Sequence, residues 1–382
     1  LTLIAHMADI HLGNRAYNLV ERENDIYEAF DEAVEKICQE RVNVLVIAGD
    51  LFDSSRPPVK ALIKFKQAIH KLSMANVKIL YVLGDHDNPK RFSELPPSFL
   101  FDKIVHIGFR NVPLNFEGVQ TVFTGLDRIP SYLREQALGE INALSADAIK
   151  LGKKRILVAH VPLQSHVGIN LKDLPPGYSY YALGHEHIRE KLSLHGSVAT
   201  YPGSLEILSR SEIETWEKKG KGFYIVDISS EEPIIHEINL DSIRPQKTVE
   251  LNAEQLELGL DEIRNWFEEM LKKNRKKPLI HLTIVGRTLN RGKIIETTRH
   301  ALSEHVLLLR HEFREIEAGN TSVELRGLDL RSTIIEYMVK RGLSKEDVEL
   351  AVKIYDAYRE GGIDKVSELI NKHISSLTVD IR

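Results

Sequence analysis

Aspartates and histidines recur at one kind of place in this sequence, directly after a short apolar run. Residues 1–8 break into Asp9-Ile10-His11-Leu12-Gly13, and residues 44–48 into Gly49-Asp50-Leu51-Phe52-Asp53. Residues 78–83 end in Gly84-Asp85-His86-Asp87, residues 155–159 in His160, and residues 180–183 in Gly184-His185-Glu186-His187. Carboxylate and neutral imidazole are hard-to-borderline ligands suited to Mn, Fe or Zn. Asp9, His11, Asp50, Asp85, His160, His185 and His187 are too many donors for one ion and suit two. Two ions sharing a carboxylate, roughly 3.5–4 Å apart, serve in-line displacement at phosphorus. Any one of these residues alone reads more simply as a turn aspartate or a packed histidine. Their repetition at successive strand ends is what points to a binuclear centre. His6, inside the first apolar run, reads as a core histidine.

The elements that must position these residues follow from the same pattern. An apolar run without polar alternation, such as residues 44–48, reads as a strand buried on both faces. Gly49 allows a sharp turn and delivers Asp50 to the carboxyl edge of a sheet, where open α/β folds place their ligands. Asp9 and His11 alternate with Ile10, so an extended backbone would aim both to one side. Residues 25–40 read as an amphipathic helix carrying Ile26, Phe30, Ala33, Val34 and Ile37 on one stripe. A second helix runs to Met74 with Leu62, Phe65, Ile69 and Leu72, a stripe wide enough to pack on a sheet and offer something to a partner. Residues 119–125 and 222–228 read as further strands without chemistry at their ends. The alternation predicts a layered α/β domain with helices on both sheet faces.

Past residue 241 the character changes. Residues 254–274 form a charged amphipathic pattern, followed by the run Lys272-Lys273-Asn274-Arg275-Lys276-Lys277. That run reads as a solvated helix end favourable to the helix dipole, with phosphate contact as the minority reading. Residues 279–285 alternate as a strand, 293–303 read as helix and 306–315 as strand, giving a small α+β unit. After a junction at 319–326, residues 330–341, 345–359 and 363–374 read as helices, with Ser344 able to cap the second. So short a segment cannot bury all of its own apolar positions. The expected domains are 1–243, 244–318 and 327–382.

Bulk properties bound the function classes. A chain of 382 residues is long for a single core. No apolar run approaches the ~18 residues of a membrane span, and the start lacks the basic-then-apolar pattern of a secretory leader. Cys38 is the sole cysteine, which rules out an internal disulfide framework and fits a reducing cytoplasm. A net charge of −4 does not advertise a nucleic-acid binder. It does not exclude one either, because bound divalent cations and local basic patches supply a positive field.

The ordered blocks Asp-x-His, Gly-Asp, Gly-Asp-His-Asp, a lone His and Gly-His-x-His resemble the signature of the calcineurin-like metallophosphoesterases. The resemblance implies one metal held by Asp9, His11, Asp50 and His187 and a second by Asp50, Asp85, His160 and His185. It implies in-line attack on phosphorus by a hydroxide, with His86 stabilising or protonating the leaving oxygen and Asp53 orienting His86. Closer still, Gly49–Asp53 with Arg56-Pro57-Pro58, residues 181–187 and Tyr201-Pro202-Gly203-Ser204-Leu205-Glu206 are similar to the archaeal Mre-eleven family of DNA double-strand-break repair nucleases. That likeness covers the whole chain and is most specific before residue 241. It implies an Mn-dependent exonuclease and endonuclease with two Mn2+ ions, Fe, Zn or Mg being other occupants. It further implies DNA ends and single strands as substrate, a homodimer, and a Rad-fifty ATPase held by the C-terminal helices. No membrane is implied; the setting is the nucleoid-associated cytoplasm of a prokaryotic, archaeal cell.

Two departures stand out. The family usually has Asn where this chain has Asp85, and many members have His where it has Asp53. The extra carboxylate moves the charge of a two-ion site with hydroxide from about +1 to about zero. Two other readings stand beside this one. Another binuclear phosphoesterase, such as a protein phosphatase or cyclic-nucleotide esterase, would not need the segments beyond 243. A scaffold with a dead fold would not keep every donor and His86.

Overall fold

The computed structural model describes residues 2–89, 94–164, 168–271, 276–286, 290–315 and 344–357, with isolated positions at 335, 338–339, 365–366 and 369. The chain divides into two units, Leu1–Ile316 and Glu317–Arg382.

In the first unit, β1 (Leu3–Met7), β2 (Val44–Ala48), β3 (Lys78–Val82) and β4 (Ile104–His106) lie side by side and parallel. Antiparallel β11 (Gly222–Asp227) and β12 (Ile234–Asn239) extend the sheet beyond β1. A second sheet has the order β5 (Arg110–Phe116), β6 (Val119–Leu126), β7 (Lys154–His160), β8 (Tyr180–Gly184), β10 (Ser197–Tyr201), β9 (Glu190–Leu194). Its four central strands, β6, β7, β8 and β10, are parallel.

The period of two along each strand decides the layering. Val44, Val46 and Ala48 of β2 face the second sheet and meet Phe123, Ile156, Val158 and Ala182. Leu45 and Ile47 face the other way, under Phe30 and Val34 of α1 (Val20–Gln39) and Phe65 and Leu72 of α2 (Val59–Met74). Ala137 and Ile141 of α3 (Arg134–Leu151) cover Leu157 and Tyr181 on the outside of the second sheet. Among the described residues, each of these two sheets therefore carries helices on its outer face only. The expectation of helices on both faces fails because the inner face of each sheet is taken by the other.

The first helix begins at Val20, not near residue 25, because polar side chains at its start are buried. Arg22 pairs with Asp25 at 2.7 Å and reaches Glu206 at 3.3 Å, while Arg244 also holds Asp25 at 2.6 Å. Lys276, at the end of the basic run, pairs with Asp25 at 3.1 Å and Glu28 at 2.6 Å. The preceding residues of that run, 272–275, lie outside the described residues.

A third sheet has β14 (Leu279–Gly286) between β13 (Gln246–Asn252) and β15 (Leu308–Glu315), all parallel. Crossovers α5 (Leu256–Leu271) and α6 (Arg291–Leu302) pack on Ile280, Leu282 and Ile284. The polar half of the alternation in β14 is buried too. His281 packs near the Tyr17 ring at 5.9 Å, and Thr283 accepts a 2.8 Å hydrogen bond from Arg210.

In the second unit, residues 345–357 are helical with Val348 and Val352 buried. Ser344 Oγ accepts the Asp347 amide at 3.1 Å, and the Asp347 carboxylate accepts the Ser344 amide at 3.2 Å. That reciprocal cap is the one Ser344 was expected to supply. The junction at 319–326 and most of the helices expected at 330–341 and 363–374 lie outside the described residues. No described helix is long and apolar enough to cross a membrane.

His6 is a core histidine, fully buried, with Nε2 donating to the Leu183 carbonyl at 3.1 Å and Nδ1 accepting from the Tyr180 hydroxyl at 2.8 Å. Burial pushes its pKa down from 6.5 to about 3, against the Leu183 hydrogen bond. A histidine that titrates lower when folded stabilises the fold above its unfolded pKa and loses that contribution as pH falls. At pH 4.5 the loss is roughly 2–3 kcal/mol. His6→Gln should therefore be less stable than wild type at pH 7.5. Urea unfolding should show the gap closing between pH 6.5 and 4.5; a gap constant with pH would contradict the neutral, buried His6.

Candidate metal centre

The parallel strands of both sheets end at one edge, and the loops after β1, β2, β3, β7 and β8 bring their aspartates and histidines together there. Donor atoms of Asp9, His11 and His187 lie within 4.8 Å of one another, as do those of Asp85, His160 and His185. Asp9, Asp50 and His160 form a further group that joins the two. Asp50 Oδ2 is 3.4 Å from His160 Nε2 and 3.8 Å from His11 Nε2. Every residue singled out in the sequence as a donor is thus in one cluster.

The loops reach this arrangement through unusual backbone. Asp9, His11 and Asp50 have φ near +50°, and His185 has φ of +106°. Asp9 and His11 are therefore not on extended backbone as expected. They converge because each left-handed residue redirects the chain, a conformation costly for residues with a Cβ and concentrated at functional sites. Backbone pairs hold it: the Asp9 amide donates to Gly49 O at 3.1 Å and the His11 amide to Asp50 O at 3.0 Å. Asp87, fully buried, ties the second loop to the third by accepting the Leu51 and Gly84 amides, each at 2.8 Å. Burial and the nearby Asp50 push its carboxyl up to about 7.

The tautomers of three imidazoles test whether cations fit. His160 Nδ1 is 2.9 Å from the Ala48 carbonyl, which only accepts, so in the neutral ring Nδ1 carries the hydrogen and Nε2 a lone pair. That Nε2 is buried without a hydrogen-bond partner, 3.4 Å from Asp50 and 3.5 Å from Asp85 carboxylate oxygens. His11 Nδ1 faces the Asp53 carboxylate at 3.1 Å and His187 Nδ1 faces Glu212 at 3.4 Å, which assigns both the same tautomer. Their Nε2 atoms then confront each other at 3.2 Å. Lone pairs so placed repel unless positive charge lies between them. Two donors each ~2.1 Å from one ion are held about 3.0–3.4 Å apart at octahedral to tetrahedral angles. The donor set fits divalent cations. Burial lowers the basicity of His160, but Asp50, Asp85 and Asp9 raise its pKa well above the ordinary histidine value. Burial would raise Asp50, yet His160, His11 and the His86 amide hold it below the usual carboxylate range. Both shifts express the same demand for positive charge.

His86 and Asp53 lie beside this cluster. The exposed His86 ring packs edge-on to His11 at 4.7 Å, and its amide donates to Asp50 Oδ1 at 2.8 Å. His86 Nδ1 contacts Asp53 through the main-chain carbonyl at 2.9 Å, while the Asp53 carboxylate holds His11 and, at 2.9 Å, Asn14. Sequence reasoning assigned no role to Asp87, Glu212 or Arg128. Glu212 is legible only as the last member of a Ser-x-x-Glu capping box beginning at Ser209, which the structure forms. The same carboxylate pairs with buried Lys221 and orients His187. No local signal marks Arg128, which reaches Asp85 from the end of β6 at 2.7 Å.

A family profile described as Calcineurin-like phosphoesterase matches residues 2–189. Over 98% of both chains the protein is 32% identical to the DNA double-strand break repair protein Mre11 of Saccharolobus solfataricus. It is 30% identical to the protein of that name from Sulfurisphaera tokodaii, over 92% of each chain. For the Methanocaldococcus jannaschii protein the identity is 31% over 93% of this chain and 94% of the relative. The chain belongs to the Mre11 family. As an Mre11-family protein it is a metal-dependent nuclease of the metallophosphoesterase superfamily, and the centre belongs to a divalent metal pair. The phosphatase, cyclic-nucleotide esterase and scaffold readings are set aside.

Close approach at this centre depends on glycine. A Cβ at Gly84 would lie 2.1 Å from Asp50 Oδ1 and 2.4 Å from the Asp50 amide. Gly84→Ala should leave the far-ultraviolet circular dichroism unchanged while weakening Mn2+ binding by roughly 10–100-fold, the usual cost of disturbing support around a ligand. Calorimetric titration that found wild-type affinity would contradict the packing of Asp50 on Gly84.

Proposed function

We propose that the chain hydrolyses DNA phosphodiesters as an exonuclease and endonuclease with two Mn2+ ions. Asp9, His11, Asp50 and His187 would hold one ion, and Asp50, Asp85, His160 and His185 the other. The observation that carries this reading is the buried, unpartnered Nε2 of His160 between Asp50 and Asp85. When bound, such a metal pair offsets the charge of the phosphate and makes water nucleophilic near neutral pH.

The chain's own residues supply orientation and proton transfer. Asp50 is fixed through Oδ1 by the His86 amide, which leaves Oδ2 directed at the two imidazoles. His185 donates its amide to both oxygens of Asp9 at 3.1 Å, keeping that carboxylate aimed at the His187 side. His86 Nδ1–H is occupied by the Asp53 carbonyl, so its proton exchange takes place at Nε2. A protonated Nε2 there donates to the leaving oxygen.

Residues 1–243 would form the nuclease domain and 244–318 a cap over DNA, with 327–382 docking a Rad-fifty ATPase and the whole working as a homodimer. The relatives' name supports a role on DNA, and the division of the chain after Ile316 supports treating the last segment as separate.

His86→Ala removes the proton donor and no ligand. Two Mn2+ ions should still bind, while cleavage of single- and double-stranded DNA falls ~100 to 10,000-fold, the range for general acid–base help. Parallel assays with Mn2+, Mg2+ and no metal, and with a phosphoprotein as competing substrate, check metal and substrate class. Near-wild-type cleavage by a fully loaded His86→Ala protein would contradict the assignment.

A further inference from the structure

Asp85 is gripped from outside the donor cluster. Arg128 Nε donates to Asp85 Oδ1 at 2.7 Å, while Oδ2 faces His185 Nδ1 at 3.0 Å and His160 Nε2 at 3.5 Å. The two oxygens of one carboxylate are thus divided between a guanidinium and the donor cluster. Arg128 is delivered there by a clasp between the sheets. Its amide donates to Leu83 O at 2.9 Å, and the neighbouring Asp127 carboxylate accepts the Leu83 amide at 2.7 Å. His106 holds the other side of Asp127 at 2.8 Å, and Arg128 Nη1 anchors on Ile129 O at 3.3 Å. Hydrogen bonds from His160, His185 and Arg128 overcome burial and keep Asp85 below the usual carboxylate range.

We propose that Arg128 is a positioning residue that masks Oδ1 of Asp85, so that this carboxylate presents a single oxygen and little net charge to the second metal site. The inference rests on the nuclease reading above. Asp9, Asp50 and Asp85 contribute three negative charges against two divalent ions, and an attacking hydroxide brings the sum to zero. A centre of zero net charge attracts an anionic phosphodiester less than one that is net positive. The guanidinium restores one positive charge without occupying a ligand position, and it prevents Asp85 from closing both oxygens onto one ion.

A double-variant cycle in the full chain, read by Mn2+ titration with electron paramagnetic resonance and by DNA cleavage at saturating Mn2+, tests this. Arg128→Gln should bind Mn2+ more tightly, roughly 3–10-fold, since it unmasks a carboxylate oxygen and removes a nearby positive charge. Its saturated rate should fall by about 10-fold. Asp85→Asn should weaken Mn2+ binding by roughly 10–100-fold. The double variant should recover the saturated rate to within about 3-fold of wild type, because no excess carboxylate remains to be masked. Arg128→Lys keeps the charge and should stay nearer to wild type than Arg128→Gln in both measurements. Weaker Mn2+ binding in Arg128→Gln, or a double variant no faster than that single variant, would overturn the proposal and point to a merely structural or phosphate-contacting arginine. Equal behaviour of the Lys and Gln variants would also overturn it. Wild-type protein that binds two Mn2+ ions and cuts DNA keeps the nuclease reading intact in those cases, whereas a wild type lacking either property removes both.

Discussion

Three imidazoles with their Nδ1 hydrogens committed elsewhere govern this structure. His160 gives its hydrogen to the Ala48 carbonyl, His11 to Asp53 and His187 to Glu212. What remains is a set of Nε2 lone pairs held 3.2–3.5 Å from one another or from carboxylate oxygens. Such an arrangement repels itself, and a divalent cation between the donors would convert the repulsion into coordination. The acceptors behind the rings fix both tautomer and direction, which is the ordinary support of a metal-bound histidine.

Holding that arrangement has shaped the backbone around it. The left-handed conformations of Asp9, His11, Asp50 and His185 persist because inter-loop hydrogen bonds and tight glycine contacts leave no relaxed alternative. Asp87 acts as a buried rivet between two of these loops, and the Arg22–Asp25–Glu206–Arg244 cluster links α1 to the start of β13. The sandwich behind the centre is largely apolar, and four of the non-glycine residues with left-handed backbone lie at the edge where the donors are.

Much of this was legible from residue order alone. Apolar runs ending in Asp or His gave the strands, their direction and the membership of the cluster, because burial on both faces and a glycine turn leave a strong local pattern. The second sheet's position was not legible: a strand covered by helices and one covered by another sheet have the same composition. The backbone at Asp9 and His11 was misread as extended, since nothing local marks a left-handed aspartate or histidine. The cover over the polar face of β14 was not legible, because it comes from distant Tyr17 and Arg210. Asp53 meets His86, the ring it is expected to orient, through its main-chain carbonyl, while its carboxylate pairs with His11 and Asn14. Glu212 and Arg128 act across long sequence separations, on His187 and Asp85, where residue type carries no information about partner.

The central claim is that Asp50 belongs to two cation sites at once. Mn2+ titration of wild type and Asp50→Asn, followed by the electron paramagnetic resonance signal of the bound ions, tests it directly. The account predicts two Mn2+ ions per wild-type chain with a spin-coupled signal. In Asp50→Asn both affinities should fall together by roughly 10-fold or more and the coupling should vanish. A single ion per wild-type chain, or an Asp50→Asn protein in which one site keeps its affinity and only the other weakens, would contradict it.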